Sequence, residues 1–313
     1  MRIAILGATG CVGRNLVKKL IQSDGHDVVA SYRYEGKIDK SISDNRIEWR
    51  KVDLQSPESV MGFLAGTEAL VYLVHSLASA EFESLDRILA HKVADVAQKS
   101  SIKKIIYLSG IIPKGTRLSP HLKSRQETGI SLAAHGIPVG EVRASILLGT
   151  CSASYRIVYY LAKRLPLMVT PKWLNSLCAP IALKDAVDAI ESLLTRDIEN
   201  HEIFEIGSDV MRYRDLLSLC GKTTHGYSNA VVTVPFFAIS LSSLWIELVT
   251  GISNTVARAL AESLINDSVF SHNRFKEITG RDPMPVEQAL YECAKEMKRE
   301  HKEKVLSSVK KKG

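Results

Sequence analysis

Seven residues near the start, Gly7-Ala8-Thr9-Gly10-Cys11-Val12-Gly13, set three glycines three residues apart, after an apolar run and before an amphipathic one. That pattern suits a pyrophosphate. Glycine lets the backbone approach the phosphates, and the N–H groups that open a helix offer them partial positive charge. Gly7, Thr9, Gly10, Cys11, Val12 and Gly13 are therefore the expected phosphate contacts of a bound dinucleotide. The end of the second strand-like run bears on which dinucleotide. An acid there would hold a ribose 2′-hydroxyl, but the chain reads Val28-Val29-Ala30-Ser31-Tyr32-Arg33. Arg33, with Arg14 beside the loop, suits a 2′-phosphate, which an acid would repel. NADP(H) is expected ahead of NAD(H), which stays the alternative. Asp53, with Leu54 after the third run, is placed to accept a hydrogen bond from adenine. Val74 and His75 end the fourth run, at the sheet edge where open α/β folds seat ligands, and His75 is placed to touch the nicotinamide ribose, with a buried, hydrogen-bonded histidine as the alternative. After the sixth run, Ser152, Ser154 and Tyr155 are the polar groups expected to face a substrate.

The elements that position these residues alternate. Strand-like runs occur at Ile3–Leu6, Val28–Ser31, Ile47–Val52, Ala69–Val74, Ile105–Ser109 and Val139–Ala144. Between them lie helix-like stretches at 11–22, 57–65, 82–99 and 121–135. In 82–99, Phe82, Leu85, Ile88, Leu89, Val93 and Val96 recur at three- and four-residue steps, which predicts one apolar face. Such alternation predicts βαβ units and a Rossmann-type, doubly wound parallel α/β sheet over residues 1–150. Residues 151–294 read as a mixed region: helix over 151–166 and 185–195, a late strand at 203–206, and helix from 231 onward. Residues 295–313 form a basic tail.

Charge and composition narrow the function. Of the formal +7, the tail contributes +5 through eight Lys and Arg against Glu296, Glu300 and Glu303, so the body is nearly balanced and no nucleic-acid partner is expected. Five cysteines (Cys11, Cys151, Cys178, Cys220, Cys293) include no C-x-x-C pair and suit neither a disulfide framework nor a zinc site. The opening MRIAILGATG lacks a charged-then-apolar leader, so a reducing, cytoplasmic setting is expected. Segment 231–250 holds Pro235 and Glu247 and does not read as a membrane span. It is expected to pack internally, with weak peripheral membrane or protein contact, through it or the basic tail, as the alternative. No residue cluster has metal-ligand spacing, and neither G-x-S-x-G nor an acidic dyad occurs.

The GATGCVG loop, Asp53, Tyr72-Leu73-Val74-His75-Ser76 and Ile105–Gly110 together resemble the short-chain dehydrogenases/reductases, and more specifically their atypical, NmrA-like NAD(P)-binding branch. LSPHLKSRQETG (118–129), RASILLGTCSASY (143–155), LPLMVTPKWLNSLCAPIALKD (165–185) and LSSLWIELVTG (241–251) resemble one bacterial subgroup of that branch. The resemblance implies a smaller, discontinuous substrate lobe drawn from the second half. Active members use Tyr-x-x-x-Lys on the helix after strand five, the Tyr moving a proton and the Lys holding the nicotinamide ribose. The matching positions here carry His121 and Arg125. Arg125 is expected to hold ribose hydroxyls and His121, titrating near neutrality, to donate a proton; a structural helix-start His with a surface Arg is the alternative. Ser109 is the expected hydroxyl for a substrate carbonyl, though the following Gly110 lacks the second hydroxyl many active relatives have. Arg143 is read as an internal ion-pair partner. Two true Tyr-x-x-x-Lys matches, Tyr159–Lys163 and Tyr291–Lys295, fall outside the catalytic helix and are read as coincidental. Three functions stay open: an NADPH-dependent reductase of a small carbonyl or enone, a non-catalytic NADP(H)-binding sensor, scaffold or assembly factor, or epimerase or dehydratase chemistry in which the cofactor is recycled.

Overall fold

The computed structural model describes residues 1–310 apart from 24, 77–81, 114, 116, 117 and 235–238. The last three tail residues and part of the 231–250 segment thus lie outside the described residues. The chain forms two compact units. One comprises residues 1–145, 183–206 and 270–282; the other comprises 146–182, 207–269 and 283–313.

The first unit contains β1 (Arg2–Leu6), α1 (Cys11–Gln22), β2 (Asp27–Tyr32), β3 (Ile47–Lys51), α2 (Pro57–Leu64), β4 (Ala69–Tyr72), α3 (Phe82–Gln98), β5 (Lys104–Gly110), α4 (Pro120–Ala133) and β6 (Val139–Ala144). It is completed by α6 (Leu183–Thr195), β11 (His201–Ile206) and α10 (Phe275–Thr279). Seven strands form one sheet in the order β11-β6-β5-β4-β1-β2-β3, every pair parallel. All six expected strands and the late strand are in it. Parallel strands covered on both faces bury nearly all their side chains, which is why β1 and β4 read as unbroken apolar runs. One face packs against α2, α3 and α4 around Val60, Phe63, Val93, Tyr72, Tyr107 and Leu132. On the other, α1 and α6 are tied by Lys19 to Asp188 (3.0 Å) and Glu191 (3.3 Å). Helix α3 departs from the expected stripe: Ile88 is exposed, whereas Asp86, next to the Leu89–Val93 side, is buried.

The second unit contains β7 (Leu147–Leu148), α5 (Ala153–Arg164), β8 (Leu167–Pro171), β9 (Leu177–Cys178), β10 (Ile181–Ala182), β12 (Met211–Arg212), α7 (Tyr213–His225), β13 (Ala230–Val234), α8 (Ile239–Thr250), α9 (Asn254–Ser263) and α11 (Val286–Lys310). Its core gathers Tyr155, Val158, Tyr159, Leu216, Leu217, Cys220, Leu290 and Cys293. The expectation of helix from 231 onward is corrected at its start. Residues 230–234 are a strand, paired in parallel with β8 from Ala230–Leu167 to Val234–Pro171. The run Val231-Val232-Thr233-Val234 is β-branched throughout and loses side-chain freedom in a helix. Residues 295–310 continue α11 instead of forming a separate tail, with Met297 buried. Cys178, Cys220 and Cys293 are buried thiols.

Candidate functional site

The glycine loop has the geometry its spacing predicts. Gly7 has φ of +86°, in the region glycine favours, and its N–H donates to the Ser31 hydroxyl at 2.9 Å. Gly10 turns back onto the Gly7 carbonyl at 2.9 Å. A Cβ on Gly13 would lie 2.2 Å from that carbonyl oxygen, so only glycine lets α1 approach this closely. Gly10 is the N-cap of α1, supplies no side-chain cap, and no acid stands in the first turn. No side chain of the cap or first turn therefore offsets the positive end of the helix. Arg33 is exposed just past β2, its guanidinium 5.4 Å from the Tyr34 ring centre. Among the described residues neither Arg33 nor Arg14 makes an ion pair. These donors fit a phosphorylated dinucleotide held by Gly7, Thr9, Gly10, Cys11, Val12 and Gly13, with Arg14 and Arg33 beside it. Asp53 is exposed beyond β3, its Oδ1 accepting the Gln55 N–H at 3.0 Å, with half-buried Leu54 next to it. Past β4, Val74 is half-buried and His75 exposed.

Around the carboxyl ends of β4 and β5 lies a polar cluster centred on Arg125. Helix α4 packs closely on β5: a Cβ on Gly110 would come within 3.0 Å of Leu122 Cδ2. Arg125 Nε donates to His121 Nε2 at 3.4 Å, and Nη1 to the Leu108 carbonyl at 3.5 Å. The Tyr107 hydroxyl donates to the Arg125 carbonyl at 3.2 Å. Ser109, next along β5, is buried; its hydroxyl makes no well-formed hydrogen bond among the described residues, although it lies near enough to the Tyr107 hydroxyl to favour that group's ionised form slightly.

The expected titration of His121 near neutrality does not hold. Its side chain is 9 % exposed, and burial, then the Arg125 charge and His75, bring its pKa down to about 3. The imidazole is neutral across the physiological range, and with Arg125 donating to Nε2 its proton sits on Nδ1. Burial and Arg125 also move His75 downward, an effect softened by solvent on its exposed surface.

Asp86 on α3, which sequence reasoning missed, belongs to the same cluster. It is 4 % exposed, accepts from the Ser124 hydroxyl at 3.3 Å, and is raised above the ordinary aspartate value by burial, against Ser76 hydrogen bonding and the Arg125 charge. The available signal was an acid within the apolar stripe of an amphipathic helix. On the same sheet face Glu141 of β6 is fully buried, accepting from Arg143 Nε and pairing with His201 Nε2, each at 2.7 Å. Arg143 is thus the internal ion-pair partner expected. Burial alone would push the Glu141 carboxyl up, yet His201 and Arg143 outweigh it and hold it below the ordinary glutamate value.

Ser109, His121 and Arg125 therefore share the β5–α4 contact, whereas Ser152, Ser154 and Tyr155 belong to the second unit. There Ser152 and Ser154 pair through their hydroxyls at 2.9 Å at the start of α5, and Tyr155 is fully buried in the core. Lys163 Nζ lies 5.4 Å from the centre of the buried Tyr159 ring, over its face, and Tyr291 is exposed on α11. Among the described residues no group of three or more His, Cys, Asp or Glu could hold a metal ion.

Residues 7–136 match the NAD(P)H-binding family. No curated protein matches the chain. Among solved structures, the triphenylmethane reductase of Citrobacter sp., in complex with NADP(H), shares 16 % identity at a TM-score of 0.74, over 93 % of this chain and 99 % of that one. The NADPH-dependent quinone oxidoreductase of Escherichia coli, in complex with NADPH, shares 18 % at 0.73, over 92 % and 98 %. A nucleoside-diphosphate-sugar epimerase of Staphylococcus aureus shares 14 % at 0.74, over 93 % and 100 %. These likenesses establish a common fold.

Proposed function

We propose that the chain is an atypical short-chain dehydrogenase/reductase and acts as an NADPH-dependent reductase of a small carbonyl or enone compound. One observation carries this reading. The Ser109 hydroxyl is buried without a well-formed hydrogen bond among the described residues, and the Arg125 guanidinium is anchored on the carbonyl of the preceding residue. Such a donor beside a fixed cation suits an oxygen that gains negative charge as its conjugated carbon is reduced. The reductase names of the Citrobacter and Escherichia coli structures support the same class. Unpaired Arg14 and Arg33 favour the 2′-phosphorylated dinucleotide.

When bound, the dinucleotide supplies a hydride. Ser109 donates a hydrogen bond to the substrate oxygen, and Arg125 stabilises the charge that develops on it. Neutral His121 accepts from Arg125 Nε and so holds the guanidinium in place without adding a competing charge. Since His121 carries no exchangeable second proton near neutrality, the proton that completes the reduction comes from solvent.

A second reading, an NADP(H)-binding sensor, scaffold or assembly factor, is favoured by His121 and Arg125 standing where Tyr and Lys serve catalysis in active relatives. One experiment separates them. NADPH and a panel of aldehydes, enones and quinones are incubated with the protein while nicotinamide absorbance is followed. Turnover that Ser109→Ala lowers about a hundredfold supports the reductase. Tight NADPH binding with no turnover on any member of the panel selects the second reading.

A further inference from the structure

Helix α8 in the second unit has two unlike sides. Ser243, Ile246 and Thr250 are buried, and Ile246 joins the unit's core. Leu244, Trp245 and Leu248 are exposed by 56, 42 and 79 %, and their spacing places them on one side of the helix. The β8–β13 pair turns a second apolar face outward. Leu167 pairs with Ala230, Val232 lies two residues on along the same strand as Ala230, and Leu167 and Val232 are half or more exposed. Arg164 links the two: its Nη1 donates to the Val249 carbonyl near the end of α8, and the chain enters β8 three residues later.

The same region is cationic. Arg156, Lys163 and Arg164 are exposed on α5, which packs against α8, and among the described residues none has a carboxylate partner. Residues 146–182 contain no Asp or Glu at all. The second unit as a whole carries 16 Lys and Arg against 10 Asp and Glu, so +6 of the formal +7 belongs to it. Residues 295–313 supply +5 of this, and the acid-free stretch 146–182 carries +4 of its own, offset by −3 over the rest of the unit.

We propose that this surface is a peripheral docking site for an anionic lipid bilayer. Leu244, Trp245 and Leu248 enter the boundary between headgroups and acyl chains, where an indole keeps its apolar ring in lipid and its N–H in water. Arg156, Lys163 and Arg164 meet the headgroup phosphates. Charge selects this occupant over a second copy of the chain, because two copies of a face carrying Arg156, Lys163 and Arg164 without carboxylate partners repel. Among the described residues no helix is long and apolar enough to cross a membrane, so the contact lies on the surface.

The test uses the whole protein, sedimented with phosphatidylcholine vesicles that either lack or contain one-third phosphatidylglycerol. Binding to the anionic vesicles, weakened by salt, is expected, with little to the neutral ones. Leu248→Glu and, separately, Trp245→Ser should each lower partitioning about tenfold, and the pair Arg156→Glu with Lys163→Glu should abolish the anionic preference. All these side chains are exposed, and unchanged melting curves verify the fold of each variant. Absence of binding to anionic vesicles overturns the proposal. So does binding that Leu248→Glu leaves unchanged, or a lipid-free dimer that Leu248→Glu dissociates.

Discussion

Replacing Gly129 by alanine tests the buried carboxylate most directly. Within a helix, Gly→Ala normally stabilises by about 1 kcal/mol. At Gly129 in α4, however, a Cβ would lie 2.6 Å from Glu141 Oε2 and 3.1 Å from its Cδ. Glu141 is fully buried and holds two partners at 2.7 Å, so it has no open volume to retreat into. Displacing it disturbs two hydrogen bonds to a charged group, each contributing about 1.5–3 kcal/mol. After the helix gain is subtracted, the net loss is about 2–5 kcal/mol, or a fall in Tm of roughly 5–15 °C. Gly62 in α2 is the control, because a Cβ there meets nothing within 4 Å and the same substitution should stabilise by about 0.5–1 kcal/mol. Urea unfolding monitored by circular dichroism reads both. In a Glu141→Ala background the Gly129→Ala change should reverse sign and become stabilising, since its obstruction is gone. If Gly129→Ala stabilises the native protein as Gly62→Ala does, the packing argument fails.

Two further outcomes follow from the site. Arg33→Asp should weaken NADPH binding about tenfold to a hundredfold while leaving NADH binding equal or tighter, measured by fluorescence titration; unchanged NADPH affinity removes Arg33 from the cofactor site. His121 has its folded pKa depressed to about 3 from 6.5, so the unfolded chain binds more protons between those values. Stability should therefore be full above pH about 6.5 and fall as pH drops, by up to about 1.4 kcal/mol per unit from this group. His121→Asn should flatten that slope in unfolding curves taken from pH 7 to 4, and an unaltered slope contradicts the neutral imidazole.

The parts of the fold that were legible depended on neighbours in the chain. β1, α1 and the glycine turn were readable because a buried parallel strand is an unbroken apolar run, and a loop that forbids a side chain requires glycine at fixed intervals. The β8–β13 pair was not readable. Val231 to Val234 are apolar enough for a buried helix or a strand, and the partner that decides between them begins at Leu167. Asp86 was hidden for a related reason: one acid in an amphipathic helix reads as solvent-facing until Ser124 is found against it.

What the sequence determined by itself was the glycine loop, the alternation of strand and helix, and an arginine instead of an acid directly after β2, each a matter of residues close together in the chain. Tertiary structure alone decided the electrostatics. Whether His121 is charged depends on how deeply α4 presses onto β5 and where Arg125 points; whether Glu141 is tolerated depends on His201, sixty residues away. Solvation and Coulomb energies follow distance in space, and no spacing along the chain encodes it.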